Sequence, residues 1–191
     1  MKKIKLLFAI AFIGFTTTIK AQNFVESLRT GSSDPSTWSK LGNSVSVSGN
    51  RAIVGASGKN SSVGAAYIYE LVGGVWTETQ KLTASDGASS DYFGYTVSIS
   101  GDFVVIGAYG DDDDGSASGS AYIFELSGGA WVETQKLTAS DANTSDEFGH
   151  AVAMSGDKVI VGARLNDDVA SAAGSAYIFE LSGGTWTETQ K

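Results

Sequence analysis

The sequence predicts an all-β fold: a β-propeller of four-stranded antiparallel blades, with three blades present as an incomplete or open ring. Three observations predict it. Trp76, Trp131 and Trp186 stand at a constant offset of 55 within a long repeat. The inner strands of each repeat are apolar on successive residues. The composition, with 24 glycines and one proline among 191 residues and much Ser, Thr, Val and Ala, is that of a turn-rich β protein.

In chain order, Lys2, Lys3 and Lys5 precede the apolar run 6–15 (LLFAIAFIGF) and a polar stretch ending at Ala21. This is a signal-peptide pattern over residues 1–21. Ten helical residues would span about 15 Å, roughly half a bilayer core, so export with cleavage is expected over retention as an anchor, leaving no membrane span. Residues 22–37 form an N-terminal segment in which 24–30 (FVESLRT) resembles an outer strand. Blade 1 is expected over 38–86, blade 2 over 87–141 and a truncated blade 3 over 142–191, where the chain stops at Lys191 inside a strand.

The run 119–129 (GSAYIFELSGG) recurs letter for letter at 174–184, and 92–102 (YFGYTVSISGD) matches 147–157 and, more weakly, 40–50. Within the middle copy four strands are predicted, at 93–100, 103–109, 120–126 and 131–138. They are joined by a turn at Gly101, where glycine allows the positive φ of a hairpin, a polar loop, and the Gly128-Gly129 turn. The second and third strands, Phe-Val-Val-Ile and Ala-Tyr-Ile-Phe, require cover on both faces, because a half-solvated sheet would alternate. The fourth, Glu133-Thr-Gln-Lys136, is polar, as befits an outer rim strand. Sheets stacked face to face and wet only at the outer edge are what a propeller provides. One repeat buries too little apolar surface to stand alone, so stability comes from neighbouring copies.

Composition excludes several classes. Without the signal peptide the chain keeps nine basic against 21 acidic residues, a net charge of −12, which argues against nucleic acid as a partner. There is no cysteine for a disulfide, a zinc-thiolate site or a catalytic thiol. The single histidine, His150, has Asn43 and Tyr95 as counterparts in the other copies, which marks a tolerant position rather than a catalytic one.

Phe93-Gly94 followed by Gly107-Ala108, Phe148-Gly149 followed by Gly162-Ala163, and the weaker Leu41-Gly42 followed by Gly55-Ala56 resemble the FG-GAP repeat of integrin α-subunit propellers and their secreted bacterial relatives. The resemblance covers about residues 38–191. It departs where Ser57, Tyr109 and Arg164 replace the expected Pro, and where Leu41 replaces Phe. It implies extracellular recognition or adhesion, often with calcium in a DxDxDGxxD loop between the first two strands. That loop is absent here, its place held by turns at Gly49-Asn50, Gly101-Asp102 and Gly156-Asp157, so the family calcium site is not carried over.

The conspicuous cluster is Asp111, Asp112, Asp113 and Asp114. Against calcium-loop spacing, only Asp112 and Asp114 fall on ligand positions; a solvated acidic loop is the first expectation and weak calcium binding by these two the second, with no cofactor required. The third copy carries Asn166, Asp167 and Asp168 there. Glu70, Glu125 and Glu180, with Glu78, Glu133 and Glu188, recur in every copy, whereas a catalytic pair is needed once, so cross-strand pairing is expected of them. Trp76, Trp131 and Trp186 are expected to pack between blades rather than stack on sugars. Ligand contacts are expected from the variable loops 109–119 and 164–174, with Tyr109 and Arg164 at their starts. The reading is a secreted or cell-surface, non-enzymatic scaffold binding an extracellular protein or glycan, associated with further blades of a longer chain or with itself. The alternative is a noncatalytic portion of a longer exported enzyme.

Overall fold

The computed structural model describes residues 32–191; the signal-peptide pattern expected at residues 1–21 and the strand-like run 24–30 lie outside the described residues. Twelve strands form three four-stranded antiparallel sheets: β1 (Val45–Ser48), β2 (Arg51–Gly55), β3 (Ala66–Val72) and β4 (Val75–Leu82); β5 (Thr96–Ser100), β6 (Phe103–Ala108), β7 (Ser120–Ser127) and β8 (Ala130–Leu137); β9 (Phe148–Ser155), β10 (Lys158–Ala163), β11 (Ser175–Ser182) and β12 (Thr185–Gln190). Strands run in sequence order across each sheet, giving three propeller blades in an open arc. The short first turns have positive φ at Gly49, Gly101 and Gly156, all close to 59°. Each Gly-Gly turn has positive φ at both central residues, the geometry whose twist matches a hairpin.

The first strand of blade 2 begins at Thr96, not at Phe93 as the pattern suggests. Phe93 and Gly94 precede this ladder and meet the preceding blade, although the Gly94 N–H still donates to the Gly107 carbonyl of its own blade at 3.1 Å; in blade 3 the first strand does begin at the equivalent Phe148, paired with Ala163. Phe93 makes a single parallel bridge with Gly64, and Phe148 does the same with Gly119. A Cβ on Gly55 would lie 2.1 Å from the Gly94 carbonyl oxygen, and one on Gly107 would lie 2.0 Å from that of Gly149. The Phe-Gly of one blade thus seats on the Gly-Ala of the blade before it, backbone on backbone, where no side chain fits.

Around this seat the blades share their cores. Ile53 and Ile68 of blade 1 join Phe93, Ile106, Phe124 and Trp131 of blade 2 in one cluster. Val105, Ile123 and Leu137 of blade 2 join Phe148, Val161 and Trp186 of blade 3 in another. Trp131 and Trp186 are buried between blades as expected, with the Phe103 ring set edge-on to Trp186 at 5.7 Å. Along the inner edge, serine hydroxyls bridge neighbouring first strands. Ser44, Ser46 and Ser48 accept from the backbone N–H of Val97, Ile99 and Gly101 at 3.0, 3.2 and 3.2 Å, and Ser98 and Ser100 accept from Met154 and Gly156 at 3.1 and 3.0 Å.

The outer strands carry the same register shift in each blade, between Ile68 and Tyr69, Ile123 and Phe124, and Ile178 and Phe179. In an unbroken strand Glu78 and Gln80 would share a face; the extra residue, Thr79, turns them to opposite faces. Gln80 then reaches forward, donating to the Trp131 carbonyl at 2.7 Å and accepting from the Trp131 N–H at 2.8 Å, and Gln135 does the same to Trp186 at 2.7 and 2.8 Å.

Because Phe148 is fully buried at a joint, Phe148→Ala should cost about 3–5 kcal/mol, whereas Phe148→Leu, the residue type that copy 1 carries at position 41, should cost under about 1.5 kcal/mol; urea unfolding checks both.

Candidate functional site

The segment entering each blade and the loop between its second and third strands meet at one end of the arc. Each entering segment is clasped by the fourth strand of the blade it enters. Ser85 donates through its N–H and hydroxyl to Glu133 at 2.9 and 2.7 Å; Ser140 does so to Glu188 at 2.9 and 2.8 Å, and Ser33 to Glu78 at 2.9 and 2.6 Å. The following aspartate is held by the strand's lysine and by the buried tyrosine of the third strand. Asp86 accepts from Lys136 and Tyr122, both at 2.8 Å; Asp141 accepts from Lys191 at 2.5 Å and Tyr177 at 2.7 Å; Asp34 accepts from Lys81 at 2.7 Å and Tyr67 at 2.5 Å.

Glu78, Glu133 and Glu188 therefore hold an entering segment rather than a cross-strand partner, a correction to the sequence expectation. Cross-strand pairing does describe Glu70 and Glu180, which lie 3.5 Å from Arg51 and Lys158 directly opposite. The signal for the clasp was the Ser-Asp pair at 85–86 and 140–141, recurring in step with Glu and Lys of the outer strand.

In blade 2 the clasp absorbs half of the acidic run. Asp111 is buried, and it accepts from Ser120 at 3.0 Å, Tyr122 at 2.7 Å and Lys136 at 3.0 Å. Asp113 accepts from Lys136 at 2.5 Å. The three carboxylates whose oxygens converge are Asp86, Asp111 and Asp113, and the Lys136 ammonium bonds to all of them. Asp112 and Asp114, the two on calcium-loop spacing, are exposed and lie outside this group. In blade 3 Asn166 takes the place of Asp111, buried and accepting from Ser175 at 2.7 Å. Asp168 bonds Lys191, and Asp167 is exposed.

Burial raises the Asp86 carboxyl, but the hydrogen bonds from Lys136 and Tyr122 outweigh it and hold the group below the ordinary carboxylate range. Burial likewise disfavours the charged Lys136, yet its bonds to Asp113, Asp86 and Asp111 push its pKa up. Burial and the Asp141 carboxylate carry the Tyr177 hydroxyl to about 12.

Beside the clasps, three positions of each blade converge on a continuous patch: the residue before the Phe-Gly pair, the one after it, and the one after Gly-Ala. In blade 1 these are Lys40, Asn43 and Ser57, the last fully buried and so not part of the exposed patch; in blade 2, Tyr92, Tyr95 and Tyr109; in blade 3, Glu147, His150 and Arg164. Tyr92 and Tyr109 stack with centroids 4.9 Å apart and planes at 7°, and Tyr95 meets Tyr109 edge-on at 4.6 Å. The His150 ring lies 5.0 Å from Tyr95 and 5.5 Å from Tyr109, and the Lys40 ammonium sits over Tyr92 at 5.6 Å. Arg164 pairs with Glu147 at 2.8 Å. Burial, then the Arg164 charge, hold the His150 pKa below its ordinary value, which leaves a neutral imidazole packed on two tyrosines. Of this patch Tyr109 and Arg164 were expected from the sequence. Tyr92 and Tyr95 were not expected, because they flank the constant Phe93-Gly94 pair and lie outside the variable loops 109–119 and 164–174.

The clasp has a testable electrostatic sign. Lys136→Met leaves Asp111 buried without its counter-charge and should cost on the order of 3 kcal/mol at pH 7. Asp86 titrates below its unfolded value, so its share of the stabilisation is present above about pH 4 and is lost as pH falls through its folded value. The gap between the two proteins in urea unfolding should therefore narrow at pH 2–3.

The comparisons agree with this architecture. The FG-GAP repeat matches at residues 31–69, 76–124 and 131–179. No curated protein matches the chain. Each of the last two matched spans begins on an outer strand and ends on the third strand of the next blade, so the sequence unit straddles the joint where Phe-Gly seats. FG-GAP repeats form propeller modules typical of extracellular or surface proteins. With most of its length matched in three consecutive copies, this chain belongs to the FG-GAP repeat family.

Proposed function

We propose that the chain is an exported, non-enzymatic recognition module that holds an extracellular protein or glycan against the patch centred on Tyr92, Tyr95, Tyr109 and His150. One observation carries this reading. At positions adjacent to the most constant motifs of the repeat, the three copies have unrelated side chains, and those side chains meet each other on one rim. A fixed scaffold with divergent residues on one face is the arrangement that binding surfaces use. Tyrosine suits such a surface, since it offers an apolar ring and a polar tip at low entropic cost. Lys40 at one end and Arg164 beyond His150 add cationic groups to an otherwise acidic chain. Export is supported by the charged start and apolar run of residues 1–21.

Binding should be read on a glycan array and on a panel of immobilised secreted proteins. Tyr109→Ala should weaken capture at least about tenfold, while Val75→Ser, at an exposed turn on the opposite end of blade 1, should leave it unchanged. Capture that survives Tyr109→Ala, or falls equally with Val75→Ser, would place the site elsewhere. No metal is required in this reading, because the Lys136 ammonium already bonds to each of the three converging carboxylates. EDTA should leave the melting temperature and capture unchanged; a calcium-dependent rise removed by Asp112→Ser with Asp114→Ser would instead assign a weak site to those two residues.

A further inference from the structure

The face of blade 3 turned away from blade 2 repeats the features by which blades 1 and 2 receive their successors. Ile160 is 44% exposed, whereas its counterparts Ile53 and Val105 are fully buried by the following blade. Ala176 is exposed where Ala66 and Ala121 are buried. A Cβ on Gly162 would meet only Ala151, at 3.5 and 3.9 Å, whereas Gly55 and Gly107 are each closed by the carbonyl oxygen of the next blade's Phe-Gly glycine. A cleft of about 470 Å³ opens at this spot, lined by His150, Gly162, Arg164 and Gly174 among others. A second cleft of about 240 Å³ lies further along the same face, over Met154, Ile160 and Ile178.

From these equivalences we infer that this face is a docking surface for a further blade of the same repeat, entering with a Phe-Gly pair. The glycine of that pair seats on Gly162, and the segment carrying it occupies the larger cleft. The exposed Gln190, counterpart of Gln80 and Gln135, takes the backbone N–H and carbonyl of the tryptophan two residues after the incoming blade's Gly-Gly turn. The apolar side chains of the incoming first and second strands cover Ile160 and Ile178. The joint differs from the other two in one respect. Ala151 and Ala153 stand where Ser44 and Thr96, and Ser46 and Ser98, lie, so of the bridging hydroxyls of the inner edge only that of Ser155 remains. It is the joint with the fewest hydrogen bonds along the axis.

The test appends a copy of residues 82–136 directly after Lys191, which keeps the repeat in register because Lys191 corresponds to Lys81. The lengthened protein should melt at least about 4 °C above the 191-residue chain. Gly162→Val should leave the 191-residue chain within about 1 °C of its starting value, as the added Cβ meets only Ala151 and at ordinary contact distance, and should remove the gain in the lengthened one. Ala153→Ser should raise the melting temperature of the lengthened protein alone. The inference is overturned if the gain survives Gly162→Val, or if the appended repeat stays as protease-sensitive as an unfolded tail. It is also overturned if the 191-residue chain forms a dimer that Gly162→Val dissolves, which would make a second copy the occupant.

Discussion

The structure depends on one close approach: the carbonyl of a Phe-Gly glycine resting where the Cβ of the preceding blade's Gly-Ala glycine would be. At 2.0–2.1 Å from an ideal Cβ, that oxygen tolerates no side chain, so Gly55 and Gly107 are required by packing. The contact sets the separation of neighbouring inner strands. They stand too far apart to pair as a ladder, yet close enough for a serine hydroxyl to span the gap. It also buries Phe93 and Phe148 against the Tyr-Phe pair of their own third strand, at 5.4 Å and about 6 Å between ring centroids. Hydrophobic burial supplies the driving force, but the glycine contact decides the register in which the faces meet.

At the outer edge, one extra residue in the fourth strand lets Glu and Gln, two positions apart, serve opposite neighbours. The glutamate and lysine hold the segment entering their own blade, while the glutamine holds the blade after it. Buried charge here is compatible with stability because every member is hydrogen-bonded. The position occupied by Lys59, Asp111 and Asn166 in the three copies shows that geometry matters more than sign. Lys59 lies 3.2 Å from Asp34, Asp111 bonds Lys136, and neutral Asn166 bonds Ser175, all within the same fold. An acidic sequence thus builds a repeated joint around a cation of its own.

Much of this was legible in the sequence. The repeat length, the four strands per copy, the Phe-Gly and Gly-Ala landmarks and the buried tryptophans all follow from periodicity and turn chemistry. What escaped was whatever lies between copies. Residues 93–94 read as the start of a strand because an apolar residue beside a glycine has the same local pattern whether it pairs within its own sheet or bridges to the preceding blade. Glu133 reads as a cross-strand partner because its contact, Ser85, lies outside the strands of its own sheet, in the segment that enters the blade. Four consecutive aspartates look alike in sequence, yet one is buried, one joins it on Lys136 and two face solvent. Burial separates them, and burial is a property of the assembled joint.

The divergent rim is best understood from its backbone. Lys40, Tyr92 and Glu147 all adopt a left-handed conformation, with φ of 54°, 58° and 56°, although none is glycine or asparagine. Each carbonyl accepts from the N–H three residues on, at Asn43, Tyr95 and His150, and the N–H groups of Tyr92 and Glu147 donate back to Ser62 and Ala117 of the preceding blade. The turn is thereby held by main-chain bonds that any residue could make. A lysine, a tyrosine and a glutamate share one conformation because the joint imposes it, at an energetic cost that glycine would lower. The backbone turn itself does not call for a lysine, a tyrosine or a glutamate; these side chains instead contact one another and their neighbours, Lys40 over Tyr92, Tyr92 on Tyr109 and Glu147 with Arg164. Their presence in all three copies, chemically unlike at one backbone position, is what the proposed recognition role of this rim would account for.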